Sequence, residues 1–450
     1  MLSSQIIESA LDQHKQPRHV YVAYSGGVDS HVLLHLCASI KLLKDKITAV
    51  YVHHGLQAEA ESWAKHCEKT AEGLGVDFLV LRVNAFAKSG ESPEEAARNA
   101  RYTALKSLMD SDDMLLLAQH REDQIETVLL QLFRGSGLRG LSGMPESMAF
   151  GQAVMLRPLL NVSKQTINDY ARSHQLSWVE DPSNQCNDYD RNFLRNAVVP
   201  LLKQRWPAID KTVSRSAKHC ADAEVLVSEV ADELFGSVFN EADKTLCIAR
   251  LLEHHSHQQQ LVIRHWFQRL GLKMPAQAFV GRILGQVVAA SENSNPVLSG
   301  QGYDIRRYRD KLYCVTNLSG TNLHLPEGRQ AAQECLQDFV WPAGQSSIII
   351  GNDETLSCVP SSAGILREQW QNAKVEVRFR RGGEKICLPG RTGHHSLKNL
   401  FQEAGIPPWE RKRVPLIYLN DTLAAVGDKW ISAAFYREKQ QACISLSRQR

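Results

Sequence analysis

The chain has 450 residues, of which 43% are hydrophobic and 22% are charged, and its formal net charge is +3. These values are typical of a globular protein with about two to four domains. The small net charge excludes a diffuse polyanion binder, so nucleic acid would have to bind at local basic clusters. No apolar run approaches the ~20 residues of a membrane span. Residues 1–16 have the amphipathic pattern of a helix rather than of a secretory signal, and the cytoplasm is therefore the expected location.

The ten cysteines form no CxxC pair and no Cys/His cluster. Zinc and iron–sulfur sites are therefore not expected, although ligands far apart in sequence stay open. We expect most of these cysteines to be reduced and buried.

Strand-like apolar runs recur in the first half of the chain, separated by segments of helical periodicity. They cover residues 20–24, 47–52, 76–83 and 114–118. This alternation predicts an α/β domain in which a parallel sheet has helices on both faces. Ligands of such domains bind at the carboxyl ends of the strands, so the polar residues after each run form the candidate site.

The first run leads into a turn of small residues and then into a helix. The turn consists of Ser25, Gly26, Gly27, Val28, Asp29 and Ser30. Two adjacent glycines let backbone N–H groups converge on an anion, and the positive end of the following helix favours a phosphate there. Asp29 is interpreted as a helix cap or as a Mg²⁺ contact, because a carboxylate repels phosphates unless a divalent cation lies between them. A glycine-rich turn that binds nothing is the alternative.

The second run is followed by His53, His54 and Gly55. Gly55 allows a close approach of the backbone to a ligand, and the imidazoles are suited to stacking on a base or hydrogen bonding to it. An ordinary polar surface loop is the alternative.

A helix start at Pro93 precedes Arg98, Arg101 and Tyr102. Arg98 and Tyr102 are four residues apart and share a helix face. Guanidinium groups suit carboxylates or phosphates. The alternative is a solvated amphipathic helix with Glu–Arg pairs.

The fourth run is followed by the most polar stretch of the chain, residues 119–127. His120 lies at the strand end, and Asp123 and Glu126 face the same way from the first turn of a helix. The two carboxylates suit Mg²⁺ or a cationic amine, and His120 suits a phosphate, whereas helix capping by acids is the alternative. The glycine-rich loop 134–140, which contains Arg139, is interpreted as a flexible clamp over an anionic substrate.

Two further polar segments close the first half. Asp181 and Asn184 lie in a turn with polar tips. Arg191 and Arg195 are four residues apart and place two cations on one helix face, where they pair either with acids or with RNA.

The second half begins with apolar residues at helical spacing over 208–239, which predicts a long connecting helix. Residues 261–313 predict two helices and a short hairpin, whose Tyr- and Arg-rich strand 303–309 either binds bases and phosphates or is an edge strand. Residues 374–413 hold ten Lys and Arg against four Glu, a local net charge of +6, which favours a polyanion partner. Trp409 beside Arg411 and Arg413 suits base stacking, although charge runs are usually solvated faces.

The turn at 25–30, SGGVDS, resembles the PP-loop of the N-type ATP pyrophosphatases, which cleave ATP between its α and β phosphates and pass AMP to an acceptor. EEAARNARY (94–102), HREDQIET (120–127) and RGSGLRGLSGM (134–144) resemble the bacterial tRNA(Ile)-lysidine synthases. Segments 178–184, 189–200, 398–402 and 406–413 resemble the same family. Members often have two aspartates where this chain has Glu122 and Asp123, so the family role is assigned to Asp123.

The resemblance implies a Rossmann-like PP-loop domain that binds ATP at residues 25–30, with the adenine near His54 and Gly55. It further implies a ligase that joins the ε-amine of free L-lysine to C2 of the wobble cytidine of tRNA(Ile) with a CAU anticodon. The reaction would pass through an adenylated cytidine, require Mg²⁺, release AMP and pyrophosphate, and change codon reading from AUG to AUA. Asp29, His120, Asp123 and Glu126 are the candidate catalytic residues. A further set is the candidate substrate-binding group: Arg98, Arg101, Arg139, Asp181, Asn184, Arg191, Arg195, Arg411 and Arg413.

The domains expected on this basis follow one another along the chain. They are a catalytic domain (1–215), a connecting helix (216–245), a mainly helical tRNA-binding domain (246–335), a linker (336–365) and a small, basic α+β tRNA-binding domain (366–450). The oligomeric state, a homodimer included, stays open.

Three other functions fit the sequence less well. A tRNA thiolase would need reactive cysteines, and the loops 25–30 and 120–127 contain none. An amidotransferase would need a glutaminase domain, for which the residues before Ser25 are too few. A non-catalytic tRNA-binding module would have no use for a phosphate loop and an acidic pair at neighbouring strand ends.

Overall fold

The computed structural model describes residues 2–55, 59–86, 93–291, 294–316, 337–350 and 354–449. The chain divides into two compact units, Met1–Val230 and Ala231–Arg450. In the described part of the chain, no helix combines the length and the apolar character needed to cross a bilayer.

The first unit is built on one sheet. Its strands are β1 (Val20–Ala23), β2 (Ile47–His53), β3 (Asp77–Arg82), β4 (Met114–Leu116), β5 (Ser147–Phe150) and β6 (Ala153–Leu156), in the order β3-β2-β1-β4-β6-β5. All neighbouring pairs are parallel except β5 with β6. The predicted parallel sheet is confirmed, with an antiparallel edge strand added to it.

Helices cover both faces of this sheet. They are α1 (Gln5–Leu11), α2 (Val28–Ala38), α3 (Ala60–Gly73), α4 (Pro93–Leu108), α5 (Arg121–Phe133), α6 (Leu138–Leu141), α7 (Lys164–Ser173), α8 (Asp190–Phe193) and α9 (Val199–Arg205). Alternate residues of β1 and β4 face opposite sides, since side chains in a strand alternate in direction. Val20, Val22 and Leu116 pack with residues of α1, α2, α3 and α7, whereas Leu115 packs with Leu105 of α4.

The long helix α10 (Ile209–Val238) contains the boundary between the two units and agrees closely with the helix predicted over 208–239. The predicted connecting helix, 216–245, therefore begins and ends too late in the sequence. Its last residues belong to β7 (Phe239–Asn240) and β8 (Thr245–Cys247).

The middle part of the second unit is mainly helical, as predicted, and includes a small antiparallel sheet. Its helices are α11 (Ile248–Leu252), α12 (Ser256–Arg269) and α13 (Gln277–Arg282), which a π-helical segment, Ile283–Val288, continues. Strands β9 (Val297–Ser299), β10 (Tyr303–Tyr308) and β11 (Lys311–Thr316) join β7 and β8 in the order β7-β8-β11-β10-β9. Because β10 lies between β11 and β9, the segment 303–309 is not an edge strand.

The last part of the chain is a small α+β structure, also as predicted. Its strands are β12 (Phe339–Val340), β13 (Ser347–Ile350), β14 (Glu354–Leu366), β15 (Val375–Phe379), β16 (Lys385–Ile386), β17 (His395–Ser396), β18 (Pro415–Leu419), β19 (Thr422–Val426), β20 (Trp430–Ile431) and β21 (Tyr436–Gln449). The larger sheet has the order β12-β15-β18-β19-β20, and β13, β14 and β21 form another. Helices α14 (Arg367–Asn372) and α15 (Leu397–Glu403) complete it.

The prediction of a linker over 336–365 is wrong for the part that the structure describes. Trp341, Ile348, Leu356 and Ile365 are buried in the same core cluster as residues of β15 and β18. These strands bury enough apolar surface to form part of the domain. The high local content of Pro, Gly and Ser is what made the segment resemble a linker. Residues 317–336, the end of the predicted middle domain and the first residue of the predicted linker, lie outside the described residues.

Candidate active site

The turn between β1 and α2 lies at the carboxyl end of the central strand and at the N-terminus of a helix. Gly26 has φ +82°, a conformation that residues with a side chain rarely adopt. Gly27 is the N-cap of α2 and offers no side chain to the first N–H groups of the helix. The Ser30 hydroxyl donates to Gly27 O at 2.9 Å, and Ser25 N donates to Ser30 Oγ at 3.2 Å. Hydrogen bonds within the turn therefore hold its conformation. The N–H groups at the start of α2 lie where an anion is favoured.

A neighbouring segment fixes the position of this turn. Val179 N donates to Gly26 O at 2.9 Å. A Cβ placed on Gly26 would lie 2.9 Å from the Sγ of the buried Cys67. Glycine at position 26 is thus required both by the backbone conformation and by the packing beneath it.

A cleft of about 530 Å³ opens over the turn. Of the residues predicted for the site, those that line it are Ser25, Gly27, Asp29, Ser30, His54, Gly55, Arg101, Asp123, Asp181, Asn184 and Arg195. Tyr51, Trp63 and Val179 add apolar walls. Residues from strand ends far apart in sequence therefore meet around one cavity large enough for a nucleotide.

His54 faces this cleft as a neutral base. Its pKa is lowered by burial, and the charge of Arg101 lowers it further. Within the described residues, its Nδ1 has no hydrogen-bond partner. Gly55, at φ +72°, turns the chain beside it, and Gly55 N donates to His53 Nδ1 at 3.2 Å.

Arg101 is the cation of α4 that reaches the cleft. Its guanidinium lies 5.4 Å from the Tyr102 ring centre, and that of Arg98 lies 4.9 Å from the same ring. Burial lowers the pKa of Arg101, and among the described residues no carboxylate lies within ion-pair distance of it. A half-buried guanidinium that has no carboxylate within ion-pair distance among the described residues is suited to an anionic ligand. Arg98 does not line the cleft.

His120 is buried among carboxylates. Its Nε2 lies 3.4 Å from Asp123 Oδ2 and 3.7 Å from Asp29 Oδ1, and its Nδ1 lies 3.3 Å from Glu122 Oε2. Burial lowers the pKa of His120, but the hydrogen bond to Glu122 and the charges of Asp123 and Asp29 outweigh this effect and raise it. In the neutral ring Nδ1 accepts from Glu122 N at 3.2 Å, whereas in the imidazolium it donates to Glu122 Oε2. The acids around it favour the imidazolium.

Asp123 and Glu126 lie on the first turns of α5 and are both paired with arginines. Arg195 Nε and Nη2 lie 2.7 and 2.9 Å from the two oxygens of Glu126, and Nη2 also lies 2.8 Å from Asp123 Oδ1. Arg191 Nε donates to Glu126 Oε2 at 2.8 Å. Burial raises the pKa of Asp123, but His120, Arg191 and Arg195 outweigh it and lower that pKa. The sequence left open whether these arginines pair with acids or with RNA, and in the structure they pair with acids.

Sequence reasoning missed two lysines of this cluster. Lys164 Nζ donates to Asp29 Oδ1 at 2.5 Å, and its backbone N donates to Glu122 Oε2 at 2.9 Å. Lys203 Nζ lies 2.7 Å from Glu122 Oε1. Burial raises the pKa of Glu122, but these contacts and His120 outweigh it and hold the pKa below its usual range. Lys164 is the first residue of α7, and no local pattern distinguishes it from an ordinary surface lysine.

The loop 134–140 is held in place rather than hanging free over the cleft. Gln124 Nε2 donates to Met144 O at 2.9 Å and its Oε1 accepts from Met144 N at 2.7 Å, while Ser136 Oγ donates to Gln131 Oε1 at 2.6 Å. Arg139 is exposed on α6 and does not line the cleft.

Asp181 accepts from Ser183 N at 2.9 Å, and this hydrogen bond shapes the turn that brings Asp181 to the cleft.

Of the residues predicted to bind tRNA in the second unit, Arg411 and Trp409 lie in a packed junction. Arg411 donates to Ile406 O at 2.9 Å and to the Tyr308 hydroxyl at 3.1 Å. The Trp409 ring lies 5.2 Å from that of Tyr313 and 5.3 Å from the Arg306 guanidinium. Arg413 is exposed. Arg411 and Trp409 thus join β10 and β11 to the basic segment.

Comparisons with known proteins cover most of the chain. The model of a PP-loop domain matches residues 3–202, that of a TilS substrate binding domain matches 246–313, and that of a TilS substrate C-terminal domain matches 375–448. A tRNA(Ile)-lysidine synthase of Methylococcus capsulatus is 38% identical over 92% of this chain and 92% of its own. Those of Photobacterium profundum and Vibrio parahaemolyticus are each 39% identical, over 97% and 94% of this chain and 98% and 94% of their own.

This chain belongs to the tRNA(Ile)-lysidine synthase family. Membership confirms the resemblance that the sequence analysis drew from SGGVDS, HREDQIET and RGSGLRGLSGM. It also confirms a PP-loop ATPase domain at the start of the chain, followed by the two substrate domains of the lysidine synthases.

Proposed function

We propose that this chain is an ATP-dependent ligase that joins the ε-amine of free lysine to C2 of the wobble cytidine in tRNA(Ile) with a CAU anticodon. The cytidine is first adenylated, pyrophosphate leaves, and the amine then displaces AMP. The product would read the codon AUA instead of AUG. Family membership supports the activity, and the geometry of the first unit supports the residue roles.

One observation carries the assignment of the active site. Asp29 of the phosphate turn and His120 at the start of α5 lie beside one another, with Nε2 of His120 3.7 Å from Asp29 Oδ1. The nucleotide turn and the acidic helix start therefore face the same space, as a reaction that joins an activated base to an amine requires. Had they lain on opposite faces of the sheet, no single substrate pair would have met both.

In the first step, O2 of the cytidine attacks the α phosphate. The N–H groups of residues 26–30 and the guanidinium of Arg101 stabilise the charge that develops on the phosphate oxygens. His54 and Gly55 border the base of the nucleotide, where a neutral imidazole suits stacking or a hydrogen bond. The imidazolium of His120 faces the reacting phosphate.

The residues present fit a Mg²⁺ ion that arrives with ATP. Asp29 offers a carboxylate whose side chain is 30% exposed beside the turn, and among the described residues no group of three or more His, Cys, Asp or Glu could hold a metal by itself. Such a donor set matches Mg²⁺, which commonly takes one or two carboxylates and completes its shell with phosphates and water. Bound there, the ion would offset the phosphate charge.

The second step needs a deprotonated amine, although the lysine side chain has a pKa of ~10.4 in water. Asp123 and Glu126 hold the ammonium at the start of α5. His120 in its neutral form accepts the ammonium proton, because the acids around it raise its pKa and make that form a better proton acceptor. The proton is then available to the departing AMP.

The tRNA is held by both units in this proposal. Asp181 and Asn184 border the entry to the cleft, and Arg139 lies on the exposed α6. Residues 246–335 and the basic segment 366–450 bind the remainder of the tRNA, with the exposed Arg413 in the latter. Arg411 supports this surface through its contacts with Ile406 and Tyr308. A cytoplasmic location is a further part of this proposal, and the oligomeric state stays open.

Incubation with labelled lysine, ATP and a CAU-anticodon tRNA transcript tests the activity. Label should become covalently attached to tRNA only when all components are present, with AMP and pyrophosphate formed in equal amounts. A transcript with a GAU anticodon, which lacks the wobble cytidine, is the control. Tight binding of tRNA without transfer of label would contradict the proposal and indicate a binding module.

A further inference from the structure

The two carboxylates assigned to the lysine ammonium already have cationic partners. Both oxygens of Glu126 accept from Arg195, at 2.7 and 2.9 Å, and one of them accepts from Arg191 at 2.8 Å. Glu126 is 1% exposed, and Asp123 Oδ1 is occupied by Arg195 at 2.8 Å. An ammonium therefore reaches this pair only if a guanidinium moves away.

The balance of charge points in the same direction. Asp123 and Glu126 carry two negative charges, and Arg191 and Arg195 carry two positive charges. Adding an ammonium would leave a buried site with a surplus positive charge, which is costly in a medium of low dielectric constant. Exchange of one cation for another leaves the net charge beside these two acids unchanged.

Arg195 is the arginine placed to leave. It lines the cleft, whereas Arg191 does not, and its side chain is 38% exposed against 24% for Arg191. It also lies in a π-helical segment, Leu194–Val198. Such segments interrupt the regular helical hydrogen bonds and are frequent at functional sites.

We propose that Arg195 is an internal counterion that substrate lysine replaces at Asp123 and Glu126; the assignment rests on the function proposed above. Before lysine binds, Arg195 keeps the two acids ionised and in position. When lysine binds, the guanidinium turns into the cleft and binds the α-carboxylate of the same lysine through two parallel hydrogen bonds. Arg195 thereby determines which amines bind, since an amine without a carboxylate displaces the guanidinium but offers it no new partner.

Pentylamine, which has the aliphatic ammonium but no carboxylate, is the probe that isolates this exchange. In Arg195→Ala the internal competitor is gone, so pentylamine should bind about tenfold more tightly than to the unmodified protein, as measured by calorimetry or by the ligand-dependent rise in Tm. Lysine should gain less than pentylamine, because it loses the partner of its carboxylate. Arg195→Lys retains a competing cation and should show no gain. Arg215→Ala, which removes an exposed arginine of α10, is the matched control and should behave as the unmodified protein.

Equal or weaker binding of pentylamine to Arg195→Ala would overturn the exchange. If that variant is too unstable to purify, Arg195→Gln replaces it, and methylguanidinium should raise the Tm of either neutral variant by filling the place of the missing side chain. Absence of that rise would also count against the proposal. These binding measurements need no tRNA. If the enzyme transfers lysine but Arg195→Ala does not bind pentylamine more tightly, only the cation exchange is refuted. If Arg195→Ala binds pentylamine more tightly but the unmodified protein transfers no lysine, only the proposed function is refuted.

Discussion

Replacement of Gly26 by alanine should destabilise the first unit through two separate effects. Gly26 has φ +82°, and a residue with a Cβ pays about 1–2 kcal/mol to adopt such a left-handed conformation. The new Cβ would also lie 2.9 Å from Cys67 Sγ, closer than carbon and sulfur atoms approach without a shift. Overpacking of this kind costs about 1–3 kcal/mol in a well-packed core. The expected loss of unfolding free energy is therefore about 2–5 kcal/mol.

Gly27→Ala is the matched control for this prediction. Gly27 has φ −73°, and its new Cβ would meet only Ser25 Oγ at 3.6 Å, so the cost should not exceed the ~1 kcal/mol of a poorer N-cap. Urea unfolding of Gly26→Ala, Cys67→Ala and the double variant separates the two effects. Because Cys67→Ala removes the sulfur, it should restore part of the loss caused by Gly26→Ala. Equal stability of the Gly26 and Gly27 variants, or strict additivity in the cycle, would refute the reasoning.

Other substitutions test the remaining assignments. Asp123→Asn should abolish lysine transfer while tRNA binding persists in a filter-binding assay, and a parallel loss of both would indicate a folding role. Arg101→Ala should raise the KM for ATP by about tenfold and leave the KM for lysine unchanged, as expected for a guanidinium that contacts phosphate. Because the pKa of His120 is raised on folding, its contribution to stability is present below about pH 6.5 and is lost as pH rises through the folded-state pKa; His120→Gln should remove this part of the pH dependence of unfolding. Lys412 is an exposed residue of the basic segment, between Arg411 and Arg413, so Lys412→Ala should weaken tRNA binding and lower its salt dependence by about one ion. Arg411→Ala should lower the Tm of the second unit instead, and the reverse pattern would contradict the contacts described for Arg411.

The sheet and the glycine-rich turn 25–30 could be predicted because their signals are local. Apolar runs with helical segments between them specify a parallel sheet, and two glycines before a helix specify a turn that exposes N–H groups. β5 carries no comparable signal. Its four residues, Ser147–Phe150, include three apolar residues in succession, of which only Phe150 is buried, so the apolar–polar alternation of a strand with one buried face is missing there.

The partners of the acidic pair could not be predicted, since the decision depends on tertiary distance. Asp123 and Arg195 are 72 residues apart in the sequence. A helix face with two arginines suits acids and RNA equally. The fold brings α5 next to the segment 190–198, and burial of Glu126 then requires compensating charge. Lys164 was missed for the same reason.

The linker prediction failed although a signal was present. In β13, Ile348 and Ile350 are buried and alternate with exposed Ser347 and Ile349. That alternation is the ordinary mark of a strand with one face on a core, but three apolar residues in succession hide it. Over the longer segment, the high content of Pro, Gly and Ser favoured a linker and outweighed this alternation.

The hydrogen bond from Val179 N to Gly26 O has a practical consequence for engineering. It makes the nucleotide turn and a segment far along the chain parts of one rigid contact, supported by the Val179 side chain beneath Gly26. Recombination of two relatives at a crossover point between these segments would pair a turn from one parent with a support from the other. Chimeras of such enzymes should therefore inherit both segments from the same parent.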